Sequence, residues 1–158
     1  MQHTISVLVV NQFGVLSRIS GLFSGRGFNI ESLNVAETNE SGISRMTIIT
    51  RGDDKKIEQI TKQLNKLVDV IKVIDLTEEH FVDRELILVK MNAEARVREE
   101  ILRIVDIFRA KVIDVNHDNY TVEITGDEGK IKGFLDLLKP LGIKEIVRSG
   151  RIAISRGT

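Results

Sequence analysis

The sequence contains no cysteine and no tryptophan, and only one proline, one tyrosine and three histidines in 158 residues. Without cysteine there are no disulfides, no thiolate nucleophile and no Cys-ligated zinc, which fits a cytoplasmic protein. His3, His80 and His117 fall near the N-terminus, in a charged stretch and in a turn. No His-x3-His spacing joins them, so all three are read as exposed side chains with no metal or catalytic role. There is no excess of one charge: 23 basic and 23 acidic side chains are interspersed, whereas a nucleic-acid binder shows a basic patch or stripe. With so few aromatic rings, platforms for base stacking are also scarce. No apolar run approaches the ~18 residues of a membrane span. The opening MQHTISV has no basic segment leading into an apolar core, so no secretory leader is expected. Neither nucleic acid nor membrane is a predicted partner.

The usual reactive motifs are missing too. Gly25-Arg26-Gly27 lacks the third glycine of a dinucleotide fingerprint, and it follows a helical stretch instead of preceding one; it is read as a helix cap. No glycine-lysine-Ser/Thr run marks a P-loop. Asp53 and Asp54 are better placed to cap a helix than to act as an acid/base pair.

What the sequence does contain is alternation between two periods. Thr4–Val10 is β-branched and reads as a strand. Leu16, Ile19, Leu22 and Phe23 then share a helical face, closed by Gly25 or Gly27. Ile30–Glu37 alternates, Asn39–Gly42 is a turn, and Ser44–Thr50 is a strand. A helix carrying Ile57, Ile60, Leu64 and Leu67 follows, and Val70–Leu76 is the last strand. This βαββαβ order recurs: strand Glu85–Met91, helix Val97–Phe108, a hairpin of Lys111–Asn116 and Tyr120–Thr125, and a helix through Leu138 that Pro140 and Gly142 end. One or two short strands remain in Ile143–Ile154.

The halves share topology without visible sequence similarity. The predicted fold is α+β, two ferredoxin-like βαββαβ sandwiches in tandem. Residues 1–77 form the first domain, 78–84 a linker and 85–158 the second. A domain of this size buries only ~60–65% of its unfolded surface, so the second sheet face or an edge is expected to meet a partner.

One corner suggests a ligand. In NQFGVLSRI, Asn11 to Ile19, a strand passes into a helix through a glycine. A helix N-terminus leaves N–H groups without intrahelical acceptors and carries partial positive charge. Gly14 has no Cβ to keep a ligand away, so the corner can hold a carboxylate on main-chain donors. Asn11 and Asn29 supply neutral amides; Val15, Leu16 and Ile30 can wall a small apolar pocket. The implied ligand is a small aliphatic amino acid, bound and not transformed. A tight turn whose glycine serves only the backbone is the competing reading.

The stretch NQFGVLSRISGLFSGRGFNIESLNVAETNESGISRMTIITRGDD, followed by IEQITKQLNKLVDVIKVIDLT, resembles the ACT domain of the acetohydroxyacid (acetolactate) synthase small regulatory subunits. GLFSGRGFNIESL and QLNKLVDVIKV are the most specific parts. RELILVK, EILRIVDIFRAKVIDV and IVRSGRIAISRG resemble that family's C-terminal domain.

The resemblance implies a non-catalytic chain that binds the catalytic large subunit, activates it and confers feedback inhibition by valine or a related branched-chain amino acid. No cofactor is implied for this chain; thiamine diphosphate, Mg and FAD would reside on the large subunit. It further implies a homodimer through the ACT domains, with the amino acid between them. Asn11, Gly14, Val15 and Leu16 would come from one subunit, Asn29 and Ile30 from the other, and Ala36 would lie near the pocket. Asn34 stands where the family often has Thr. The basic tail (Arg148, Arg151, Arg156) either touches the large subunit or keeps the terminus soluble.

An alternative is a free-standing ACT-type sensor regulating a different enzyme. RNA recognition on the same topology would need aromatic residues on a middle strand that reads SRMTIIT. An acylphosphatase-like hydrolase would need an arginine in the loop NQFG.

Overall fold

In the computed structural model, which describes residues 1–157, the β-branched N-terminal run forms β1 (Gln2–Val10). There follow α1 (Val15–Gly25), β2 (Ile30–Glu37), β3 (Ile43–Arg51), α2 (Asp54–Asn65) and β4 (Val70–Asp75). The strands form an antiparallel sheet in the order β2-β3-β1-β4. Ile5 lies opposite Ile48 and Val7 opposite Met46, so one face presents a continuous apolar surface. Val15, Ile19 and Phe23 of α1 and Ile57, Ile60 and Leu64 of α2 pack on it. Ile19, Leu22 and Phe23 face the core as expected, and Leu16 does not. Because the helix starts at Val15, Val15 faces the core and Leu16 is 46% exposed.

Local chemistry accounts for the helix ends. Asp53 caps α2, its Oδ1 accepting the Lys56 N–H at 2.9 Å, and Asp54 enters the first turn, where a carboxylate suits the helix dipole. At the end of α1 the left-handed residue is Gly27 (φ 75°), not Gly25. The Phe28 N–H reaches the Phe23 carbonyl at 2.9 Å and the Gly27 N–H the Ser24 carbonyl at 3.1 Å. The Phe23 and Phe28 rings meet edge-on at 6.5 Å. This is a complete Schellman closure with its apolar contact.

The second unit repeats the plan with β5 (Phe81–Asn92), α3 (Arg98–Ile107), β6 (Lys111–Val115), β7 (Asn119–Gly126), α4 (Glu128–Gly142) and β8 (Ile143–Arg148). Its strand order, β6-β7-β5-β8, matches the first unit position for position, and β9 (Ile152–Ser155) also pairs with β5. Ile87, Val89 and Met91 meet Ile101, Ile104, Phe134 and Leu138 in its core. Pro140 and Gly142 were expected to end α4; Pro140 lies inside the helix, which closes at Gly142, whose φ of 99° turns the chain. At three residues from the helix end, the ring costs one i→i−4 bond and leaves no following turn to disrupt. The close of α3 repeats the Schellman pattern: the Ala110 N–H bonds the Val105 carbonyl at 2.8 Å and the Arg109 N–H the Asp106 carbonyl at 3.1 Å. Here the left-handed residue is Arg109 (φ 56°).

Two boundaries differ from the sequence reading. Unit one comprises Met1–Val82 plus the chain from Arg151 onward; unit two is Asp83–Gly150. The C-terminal stretch was assigned to the second domain, yet hydrogen bonds tie it to the first. The Arg151 N–H donates to Ser32 Oγ (3.2 Å), its guanidinium to Gln2 Oε1 (2.8 Å), and the Arg156 N–H to the His80 carbonyl (2.8 Å). The predicted linker is likewise partly ordered, since β5 begins at Phe81. Nor is the second face of the first sheet free. Thr4, Ser6, Thr47 and Ile49 are buried there, and β9 contacts β1. The edge strand β2 remains open on its outer side.

Candidate functional site

β1 delivers the chain to residues 11–14 at the start of α1. The Asn11 N–H is held by the Gly42 carbonyl at 2.7 Å and the Val10 N–H by the Asp69 carbonyl at 2.8 Å, so neighbouring loops fix the corner. Gly14 is the N-cap, left-handed at φ 84°, and supplies no side-chain cap. Normally a Ser, Thr or Asp at this position would bond the second or third helical N–H. In α1 those belong to Leu16 and Ser17, and neither has a protein acceptor among the described residues. The Val15 N–H makes only a long bond, 3.4 Å, to Gln12 O. No acidic residue occupies the first turn. Arg18 adds positive charge: its Nη1 lies 3.3 Å from where a Gly14 Cβ would be, and its guanidinium pairs with Asp69. The corner can therefore receive a small carboxylate on main-chain donors beside a cation.

Ser17 and Arg18 were missed from sequence. The signal was available: glycine in place of a capping side chain leaves the third helical N–H unpaired, and Arg18, at i+4 from Gly14, returns over the corner.

The other candidates divide in two. Val15 is buried, Asn11 and Leu16 are exposed, and Ala36 is exposed at the same end of the sheet, opposite Arg45, which itself faces Leu8. Asn29 and Ile30 lie at the other end. Ile30 faces Thr50, which faces His3, and the Asn29 carbonyl accepts from Thr50 Oγ1 at 2.8 Å. The eleven residues of α1 separate the groups by ~16 Å at 1.5 Å per residue. Within one chain they do not meet. Asn34, on β2, faces Thr47.

Other polar features prove structural. His3 was expected to be exposed but is 3% accessible, with Nδ1 3.0 Å from Asp75 Oδ2. Its position on the helix-facing side of β1 explains the difference. Arg148 grips buried Glu85 with two hydrogen bonds, and Arg151 binds Gln2, so two of the three arginines of the basic tail have side-chain partners within the chain. Partial burial pushes the Glu31 carboxyl up, but hydrogen bonds from Gln2 and Arg51 and the charges of Arg51 and Arg151 outweigh it, holding the group below its ordinary value. Among the described residues no group of three His, Asp or Glu side chains could hold a metal ion, and no helix is long and apolar enough to cross a membrane.

The topologically equivalent corner of the second unit differs. Its helix α3 has Val97 as N-cap and carries Glu99 and Glu100 in the first turn. These carboxylates already complement the helix dipole. The Arg98 side chain is spent on the carbonyls of Ala93 and His117. Of these two corners, only that of the first unit lacks an acidic first turn among the described residues.

The βαββαβ unit with this corner is an ACT-type module: residues 5–72 match the family model described as an AHAS small subunit-like ACT domain. Residues 84–157 match the model for the small subunit of acetolactate synthase. The acetolactate synthase small subunit of Aquifex aeolicus is 54% identical over 98% of this chain and 81% of its own length. That of Mycobacterium bovis is 52% identical over 98% and 92%. The crystal structure of the acetolactate synthase small subunit from Thermotoga maritima superposes with a TM-score of 0.90 at 42% identity, covering 100% of this chain and 99% of that one. The chain belongs to the acetolactate synthase small-subunit family, regulatory subunits in branched-chain amino acid biosynthesis.

Proposed function

We propose that this chain associates with a catalytic large subunit of acetolactate synthase, activates it, and confers feedback inhibition by valine or a related branched-chain amino acid. Thiamine diphosphate, Mg and FAD belong to the catalytic partner in this reading, and the chain itself carries out no chemistry. The effector sits between two ACT domains of a homodimer. Its carboxylate meets the N–H groups of Leu16 and Ser17 beside Gly14, with Asn11 and Val15 in the same wall. Asn29 and Ile30 of the second copy close the pocket, and Ala36 lies at its margin.

The observation that carries the reading is the pair of uncapped N–H groups at a glycine N-cap. Burying an amino acid's charges without such donors would cost several kcal/mol. The separation of the two residue groups along α1 supports a site completed by a second copy, and the open edge of β2, with Val35 40% exposed, is the natural place for two domains to pair. A ligand shared by two chains favours the quaternary arrangement that forms its site. A differential affinity of ~1–3 kcal/mol suffices for useful feedback. The test is acetolactate formation by the large subunit with and without this chain, each with and without valine. Mixing should raise the rate and valine should lower it; an unchanged rate on mixing removes the assigned role.

A further inference from the structure

Away from the effector corner, the helical layer of the first unit carries a groove between α1 and α2. It comprises two adjoining open depressions of about 460 and 430 Å³ that share Arg26 and Gln59. Four cations line them, Arg26, Lys56, Lys62 and Lys66, and no carboxylate does. Lys62 is paired with Glu58 at 3.3 Å, but Arg26, Lys56 and Lys66 have no ion pair among the described residues. In a chain with 23 charges of each sign, this is a local excess of positive charge that Glu58 offsets only at Lys62. Lys56, Gln59 and Gln63 recur at helical spacing along α2 and Lys66, its C-cap, continues the series, so they form one stripe facing the groove.

The opposite wall is unusual in another way. Gly21 and Gly25 stand one turn apart in α1 and line the groove with half-buried Leu22. Neither has a positive φ, and an added Cβ would meet nothing within 4 Å. Glycine in a helix is less favourable than alanine, and nothing inside this chain requires it at either place. Missing side chains there let another backbone come close.

We infer that the α1–α2 groove is a docking surface for an acidic segment of the catalytic large subunit, which seats against Gly21, Leu22 and Gly25 while its carboxylates meet Arg26, Lys56 and Lys66. The inference rests on the functional reading above for the identity of the partner. Charge complementarity selects the occupant, because an all-cationic rim attracts an acidic partner and repels a basic one. Exposed ion pairs contribute little affinity individually. The close seat on the glycine wall provides contact, and the rim sets encounter rate and salt sensitivity.

The test uses the full chain and the purified large subunit, with association followed at low and high ionic strength. Lys56→Glu/Lys66→Glu should slow association about tenfold or more at low salt and flatten its salt dependence. Lys55→Glu/Lys72→Glu, an equal charge change outside the groove, should leave association near wild type. Gly21→Leu should weaken the complex while the free protein melts no lower than wild type, which separates blockage from misfolding. Valine affinity of the groove variants should be unchanged. If the groove variants bind the large subunit as wild type does, the docking surface is wrong and the functional reading stands. If wild type itself does not bind, both fail. If the variants alter self-association and not binding to the large subunit, a second copy occupies the groove and the inference is overturned.

Discussion

Placing a fixed carboxylate in the α1 corner is the sharpest test of the effector site. Gly14→Asp puts a Cβ 3.3 Å from Arg18 Nη1, in open space otherwise, at a residue whose φ is 84°. A left-handed L-residue costs ~1–2 kcal/mol, with Asp among the more tolerant. An acidic group at a helix N-terminus returns ~0.3–1 kcal/mol. The fold should therefore survive with a loss of about 1 kcal/mol. The ligand fares worse. Two carboxylates ~4 Å apart repel by about 4 kcal/mol at an effective dielectric of 20; even half of that exceeds a tenfold loss of affinity. Gly14→Asn is the control, with similar shape and backbone strain but no charge. Calorimetry with valine should show Gly14→Asp binding at least about tenfold more weakly than Gly14→Asn, and the assembled enzyme carrying Gly14→Asp should resist valine. Equal affinities for the two variants, or normal inhibition with Gly14→Asp, would refute an anion corner at this position.

Three further perturbations follow from the local structure. Glu31→Gln should flatten the acid limb of the melting profile. The carboxyl is held below its ordinary value by Gln2, Arg51 and Arg151, so its contribution is present above the ordinary carboxylate range and is lost as pH falls toward the depressed value. The effect should stay within ~1 kcal/mol because the pair is partly exposed. Arg109→Gly should raise stability by about 0.5–1 kcal/mol: left-handed strain of ~1–2 kcal/mol is relieved, partly offset by the freer unfolded chain; denaturant midpoints measure it, and a fall would contradict the assignment. Gly52→Ala should lose ~1–3 kcal/mol through overpacking, because its Cβ would fall 2.2 Å from the Phe28 ring; an unchanged melting temperature would show that Phe28 can move aside.

Topology was legible because each apolar face follows one period. Ile57, Ile60 and Leu64 can face one way only on a helix, and the alternating residues of β1 and β3 specify their own register. The corner was legible for a different reason: a glycine between strand and helix leaves donors that chemistry must satisfy. What escaped was non-local. That residues from Arg151 onward return to the first unit depends on Gln2 and Ser32, more than a hundred positions away. The burial of His3 depends on Asp75 in β4. That Val15 and not Leu16 begins the buried face of α1 depends on where the helix starts after Gly14, which periodicity alone does not decide. The Schellman closures of α1 and α3 show the same limit from the other side. A shared backbone solution was hidden because one copy uses Gly27 and the other Arg109.

The return of the C-terminal strand makes the second unit, in chain order, an insert between β4 and β9. Residues 83–150 leave the first unit after Val82 and the chain returns to it at Arg151, where the Arg156 N–H donates to the His80 carbonyl. An excised chain in which a short turn joins Val82 to Arg151 should thus retain a folded first module with its N-terminal anion corner intact. Simple truncation after Val82 is the harsher cut, since it strips Gln2, Ser32 and Glu31 of their arginine neighbour. A minimal sensor from this scaffold would be made by shortening the middle of the gene and keeping both ends.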